Sequence, residues 1–243
     1  VSPATATKTH RRHATIHWPE RTSPLFDDRR HAGRELARRL ARLRGEPCTV
    51  LGVPRGGVPV GYEIARALRA PLGIIVPRKL PIPWSPEAGF GAIMPDGTRV
   101  LNEEMVRSIG LTESEIEEVA RDVLAEVKRR QALYLRGREP PAVEGRTAIL
   151  VDDGLATGYT MIAAVLAVRK QRPRSIVVAV PVSPADSVER VRQVADDVLV
   201  LHVSHAPMFA VASFYRSFPD MPDSEVIAYL DQAAAELQRD NEA

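Results

Sequence analysis

Short apolar runs alternate with longer amphipathic stretches along most of the chain. Thr49-Val50-Leu51-Gly52-Val53 has the pattern of a buried strand and is stopped by Pro54-Arg55-Gly56-Gly57. Helical spacing follows in Val60, Ile64, Ala65 and Leu68, and then a second apolar run, Leu72 to Val76. Thr112-Glu113-Ser114-Glu115 is a capping box, opening a helix with Ile116, Val119, Ala120, Val123, Leu124 and Val127 on its buried side. Arg146–Val151 predicts a strand, Gly158–Arg169 a helix and Ser175–Val180 another strand. Ser183-Pro184 is expected to cap the next helix, with Pro in its first turn. Asp197–His202 gives one more strand, and a last helix runs from about Asp223 to Leu237. This alternation predicts βαβ units: an α/β fold with a parallel sheet and helices on both faces. No internal repeat is visible, so residues 25–243 are expected to form one domain.

Two stretches break the pattern. Residues 1–24 mix Thr, His, Arg and Pro without periodicity and are read as a loose basic arm. Residues 77–98 carry Pro77, Pro81, Pro83, Pro86 and Pro95 with Gly89, Gly91 and Gly97, so no regular element is expected there. A loop of that length within a compact domain is usually functional or mobile.

Charge is uneven. The net charge is +2, but residues 1–44 hold 11 Lys and Arg against 4 Asp and Glu. Part of this excess is the wet face of a helix capped by Asp27-Asp28, with Ala32, Leu36, Leu40 and Leu43 inward and Arg34, Arg38, Arg39, Arg42 and Arg44 outward. The apolar share of 44% fits a globular chain, and a lone Cys48 excludes a disulfide framework or a Cys-based zinc cluster. No run approaches the roughly 18–20 apolar residues of a membrane span. Residues 1–20 lack the apolar segment of a signal peptide, and the absent initiator Met points to a trimmed start. A cytoplasmic location is expected.

The chemistry concentrates in Ala148-Ile149-Leu150-Val151-Asp152-Asp153-Gly154-Leu155-Ala156-Thr157-Gly158-Tyr159-Thr160. A strand ends in two carboxylates, and a small-residue turn leads into a helix. Such a turn presents backbone N–H groups where the helix dipole favours an anion such as phosphate. Thr157 and Thr160 can add hydroxyls, and Gly158 allows close approach of the backbone. Asp152 and Asp153, with no cation nearby in sequence, can hold a ribose diol or favour a Mg²⁺-bound ligand. No Lys follows the Gly as in a P-loop, and no Gly-x-Gly-x-x-Gly is present.

This stretch resembles the 5-phosphoribosyl 1-diphosphate (PRPP) signature of the type I phosphoribosyltransferases. The resemblance implies a PRPP- and Mg²⁺-dependent transfer of the 5-phosphoribosyl group to a nitrogenous base. It places the 5-phosphate at Ala156, Thr157, Gly158, Tyr159 and Thr160, and the ribose hydroxyls near Asp152 and Asp153. The Mg²⁺ is expected through the ligand rather than in a protein cage. In that family a loop after an early strand grips pyrophosphate; Arg55, Gly56 and Gly57 stand there, and Arg78 and Lys79 match basic residues that reach the same group. The segment 80–98 stands where the family has a mobile hood. With Phe214-Tyr215-Arg216-Ser217-Phe218, the chain is most similar to a largely uncharacterised bacterial and archaeal branch of the family, and a homodimer is expected.

One departure is informative. Family members acting on 6-oxopurines usually carry an Asp where this chain has Ala156, which cannot exchange a proton with the base. Trp84 and Phe90 are open to two readings, stacking on a base or anchoring the loop. His202 and His205 lack a third ligand at suitable spacing and are read as surface or structural residues; Cys48 is read as buried and inert. The alternative function is a regulator of the same fold that binds PRPP or a nucleotide, and nucleic acid through the basic arm.

Overall fold

The structure, a computed structural model, describes residues 24–242. The arm assigned to residues 1–24 lies outside the described residues except for Pro24. Helix α1 (Arg29–Arg39) is capped by Asp28, whose carboxylate accepts from the His31 amide at 2.7 Å. Strand β1 (Cys48–Gly52), helix α2 (Gly57–Leu68) and strand β2 (Leu72–Ile74) form the first βαβ unit. Strand β6 (Thr147–Val151), helix α5 (Tyr159–Arg169), strand β7 (Ser175–Pro184), helix α6 (Ala185–Arg192) and strand β8 (Asp197–Ser204) continue the alternation, and helix α7 spans Asp223–Glu242. The five strands pair in parallel in the order β2-β1-β6-β7-β8.

The two-residue period of a strand divides the core. On β6, Ala148 and Leu150 join the cluster made with α5, whereas Ile149 and Val151 join Leu36, Val60 and Ile64 of α1 and α2 on the opposite face. All five β6 residues are buried, as a central parallel strand requires. Cys48 lies on β1 with 1% exposure, and burial pushes its thiol pKa up, in keeping with an inert core residue. No described helix is long and apolar enough to cross a membrane.

Residues 78–101 depart from the irregular segment expected. They fold into β3 (Arg78–Ile82), β4 (Ser85–Ile93) and β5 (Arg99–Leu101), an antiparallel sheet in the order β3-β4-β5. The prolines are tolerated because Pro81 sits on the edge strand β3 at a register shift and Pro86 lies at the start of β4. Gly91 is a close-approach residue rather than a breaker: a Cβ there would lie 2.3 Å from the Val100 carbonyl oxygen. Leu80, Ile82, Phe90 and Ile93 bury one face against α3 (Glu103–Ile109) and the first turns of α4 (Glu113–Leu135). Phe90 is therefore a core residue of this sheet, whereas Trp84 is 62% exposed at the β3–β4 turn. The capping box forms as expected, Thr112 and Glu115 each accepting from the other's backbone amide. Strand β7 runs further than predicted, because Ser183 and Pro184 still pair with β8; Pro184 becomes the residue before α6 and Ser183 makes no cap.

Candidate functional site

The chain passes outward from β1 to β2 and returns to β6 on the other side of β1, so strand order reverses between β1 and β6. In open parallel sheets the crevice beyond the carboxyl ends at such a reversal is where ligands bind. A cleft of about 720 Å³ opens there, and Pro54, Arg78, Lys79, Glu87, Asp152 and Thr160 are among its walls. Residues distant in sequence thus converge: a loop after β1, the start of β3 and the turn after β6.

The loop after β1 packs tightly on the end of β6. Val53 N–H donates to the Val151 carbonyl at 2.8 Å, and Gly57 N–H closes the loop on Val53 O at 2.9 Å. The Pro54–Arg55 peptide is cis. A Cβ on Gly57 would meet Val151 O at 2.4 Å, and one on Gly56 would meet Asp153 Oδ2 at 1.8 Å. Both glycines serve as bare backbone beside the carboxylates. Arg55 projects outward and is exposed.

The turn after β6 has its carbonyls tied down on the far side. Ser187 Oγ donates to Ala156 O at 2.6 Å, and Arg190 Nε to Thr157 O at 3.2 Å, both from α6. Gly158 takes φ 84°, the left-handed region, and its carbonyl accepts from Ile162 N–H at 2.9 Å as α5 begins. The amides of residues 156–160 donate to no described residue. Anchored carbonyls and unsatisfied amides at a helix N-terminus form a preorganised anion cradle. Ala156 and Thr157 are exposed, Thr160 lines the cleft, and Tyr159 packs its ring against the core cluster around α5.

The two acids have different surroundings. Burial, reinforced by the adjacent Asp153 charge, pushes the Asp152 carboxyl well above the usual carboxylate range. Its Oδ1 accepts from Asp153 N–H at 2.8 Å. Asp153 is paired with a residue that the sequence reading missed: Arg29 Nε donates to Asp153 Oδ2 at 2.7 Å. The Tyr215 hydroxyl adds a bond to Asp153 O at 2.7 Å.

Cations gather across the cleft. Burial, with help from the nearby guanidinium groups of Arg130 and Arg55, lowers the Arg78 pKa; Glu126 works in the opposite direction. Glu126 itself is taken up by Arg129 and Arg130. Neither Arg55 nor Arg78 has an ion-pair partner among the described residues, whereas Lys79 Nζ donates to the Glu87 carbonyl. Arg55 and Arg78, which lack a carboxylate partner of their own among the described residues although Glu126 and Asp122 line the same cleft, suit a multiply charged anion. No cluster of three or more potential metal-ligating His, Cys, Asp or Glu side chains occurs among the described residues. Asp152, close to the cations' cleft and lacking a direct cationic partner of its own, fits a Mg²⁺ ion that takes its other ligands from substrate oxygens.

A crevice at a sheet reversal, unsatisfied amides at a helix start and a strand ending in two acids occur together in this α/β fold. The phosphoribosyl transferase domain model matches residues 94–211. Two Mycobacterium tuberculosis proteins, each named "putative phosphoribosyl transferase" (MT0597 and Rv0571c), are 48% identical over 209 residues, 86% of this chain and 47% of theirs. The chain thus spans about half the length of the curated relatives it matches. The crystal structure of TT1426 from Thermus thermophilus is 40% identical, with a TM-score of 0.72, covering 85% of this chain and 98% of that one. The chain belongs to the phosphoribosyl transferase domain family.

Proposed function

We propose that this chain transfers the 5-phosphoribosyl group of PRPP to a nitrogenous base and releases pyrophosphate. The observation supporting this reading is one cleft walled by Arg78 and Lys79 and by Thr160, the last residue of a turn whose amides at 156–160 donate to no described residue. PRPP has a phosphate at one end and a diphosphate at the other, with a diol between them. The 5-phosphate would sit on the amides and on the hydroxyls of Thr157 and Thr160. The diol would face Asp152 and Asp153, and the diphosphate would lie along Arg55-Gly56-Gly57 with Arg78 and Lys79.

In the reaction the bond from ribose C1 to the diphosphate oxygen breaks, its electron pair leaves with pyrophosphate, and the base nitrogen bonds to C1 and gives up its N–H proton to water or pyrophosphate. The ribose ring gains oxocarbenium character, which carboxylates beside it stabilise. Arg55, Arg78 and Lys79 hold the growing charge on the leaving group. Asp152 and Asp153 would stand beside a Mg²⁺ ion, which would supply further neutralisation of the leaving group. The β3–β4 hairpin, which brings Glu87 to the cleft wall, is the proposed cover that excludes water.

Pyrophosphate release from PRPP and Mg²⁺, measured across a panel of nucleobases, tests the assignment; a folded protein that neither binds PRPP nor releases pyrophosphate with any base overturns it. Replacing Arg78 or Arg55 by Ala is expected to weaken PRPP and pyrophosphate by about tenfold each, the scale of one charge-assisted contact. Ribose 5-phosphate affinity should stay within about twofold, because its phosphate belongs to the amide cradle rather than the cations. Equal losses for all three ligands would show that the anion sites are assigned wrongly.

Acceptor choice follows from Ala156, which stands exposed in the turn without an exchangeable proton. Hypoxanthine and guanine are expected to turn over at least about tenfold more slowly than the best base, or roughly 1.4 kcal/mol in barrier. Glu87 is the carboxylate of the β3–β4 hairpin that could substitute, since it lines the cleft. A 6-oxopurine that ranks first, with Glu87→Gln still active, would refute this reading of Ala156.

A further inference from the structure

Arg29 opens α1, far from the signature strand, yet its guanidinium reaches the second carboxylate of the site. Its Nε donates to Asp153 Oδ2 at 2.7 Å and its Nη1 to the Pro219 carbonyl at 2.8 Å. The Phe218 ring covers the guanidinium, with its centroid 3.7 Å from Arg29 Cζ. Both charged side chains are largely withdrawn from water, at 12% and 16% exposure.

The segment that supplies these contacts is fastened to the start of α1. Phe26 N–H donates to Phe214 O at 3.0 Å, Arg216 N–H to Phe26 O at 2.8 Å, and Ser217 N–H to Asp27 O at 2.9 Å. From the same segment, Tyr215 holds the Asp153 carbonyl. An ion pair so withdrawn from water gains little net stability, since desolvation offsets most of the attraction. Its geometry serves direction instead. Two donors of one planar fork are used on two different acceptors while an aromatic ring fixes the plane.

The consequence falls on Asp153. Arg29 holds Oδ2, which lies where a Cβ on Gly56 would fall; the Asp153 carboxylate also meets that of Asp152, and no backbone or cationic group among the described residues donates to Oδ1. We propose that Arg29 is a positioning residue for the ribose-binding carboxylate: it fixes Asp153 so that Oδ1 is presented to the ribose hydroxyls, with Phe218, Pro219 and Tyr215 as its supports. The proposal rests on the PRPP reading above and adds to it a residue contributed by α1.

Calorimetric titration of PRPP, ribose 5-phosphate and pyrophosphate into the wild type, R29M, R29K, D153N, R29M/D153N and F218L tests it, with melting curves recorded for each. R29M should lower affinity for both ribose ligands at least about tenfold and leave pyrophosphate within about twofold. R29K should fall between, because an ammonium lacks the rigid fork. On the D153N background, R29M should add less than about twofold, since its action runs through that carboxylate. R29M within twofold of wild type for the ribose ligands, or a loss that multiplies with that of D153N, overturns the proposal. Should R29M fail to fold, R29K and F218L decide: losses confined to the ribose ligands support the role, and unchanged or indiscriminate binding overturns it. A folded wild type that binds neither ribose ligand removes the PRPP reading and this proposal together. Wild-type binding that is sensitive to D153N but not to Arg29 variants removes only the latter.

Discussion

Asp152→Asn is expected to weaken PRPP binding by about a hundredfold or more while making the protein more resistant to heat at neutral pH. The binding loss follows from exchanging a carboxylate for an amide at the proposed ribose and Mg²⁺ position, where charge-assisted contacts are the strong ones. The stability gain follows from the raised Asp152 pKa, set by burial and by Asp153. The folded protein holds a proton there that the unfolded chain has released, over the window from the ordinary carboxylate pKa up to the raised one. Stability therefore falls as pH rises through that window, and the full cost is present above it. Asn carries no such cost. The variant should melt above wild type at pH 7–8, and the advantage should vanish near pH 3. Melting curves across pH with parallel PRPP titrations check both halves. Unchanged PRPP affinity would remove Asp152 from the site, and a variant less stable than wild type at pH 8 would contradict the burial argument. The opposing signs are what a residue kept for function at the expense of stability should show.

The motif after β6 was legible because every part of it is local. A strand, two acids and a small-residue turn lie on consecutive residues, and their geometry follows from the secondary structure they straddle. Arg55 and Arg78 were legible as positions after strands, although only the fold shows that they approach each other with Arg130. Arg29 was not. It follows two acids at a helix start, where sequence reads a solvated charge, and the structure pairs it across 124 positions. The Pro- and Gly-rich segment misled for a related reason: Pro81 is harmless on an edge strand, and Gly89 and Gly91 make room for neighbours, but edge and neighbour are properties of the assembled sheet. Ser183-Pro184 looks like a cap locally, yet pairing with β8 extends the strand through it. In each case the deciding partner lies far away in sequence.

Gly57→Ala should be the most damaging of the small substitutions, lowering both stability and ligand affinity. Its Cβ would stand 2.4 Å from Val151 O and 2.9 Å from Asp152 Cα, and both obstacles are backbone. No side chain can swing aside, so the loop after β1 must move relative to the end of β6. Those are two of the three segments that converge on the cleft. Overpacking of this kind costs about 1–3 kcal/mol, hence a melting temperature lower by roughly 2–12 °C, and PRPP affinity should fall by about a hundredfold or more as the loop leaves its register. Gly56→Ala offers a contrast. Its Cβ would strike Asp153 Oδ2 and lie 2.9 Å from Arg29 Nε, so the cost is displacement of one carboxylate rather than of backbone. Binding of ribose ligands should suffer there with a smaller loss of stability. Gly61→Ala, within α2 and facing Leu72 Cδ1 at 3.3 Å, should be close to neutral, because a flexible side chain can yield and Ala favours the helix by about 1 kcal/mol. Thermal melts and PRPP titrations of the three variants separate these cases. Gly57→Ala with wild-type melting and wild-type affinity would show that the loop after β1 is not held against the carboxylates in solution as it is here.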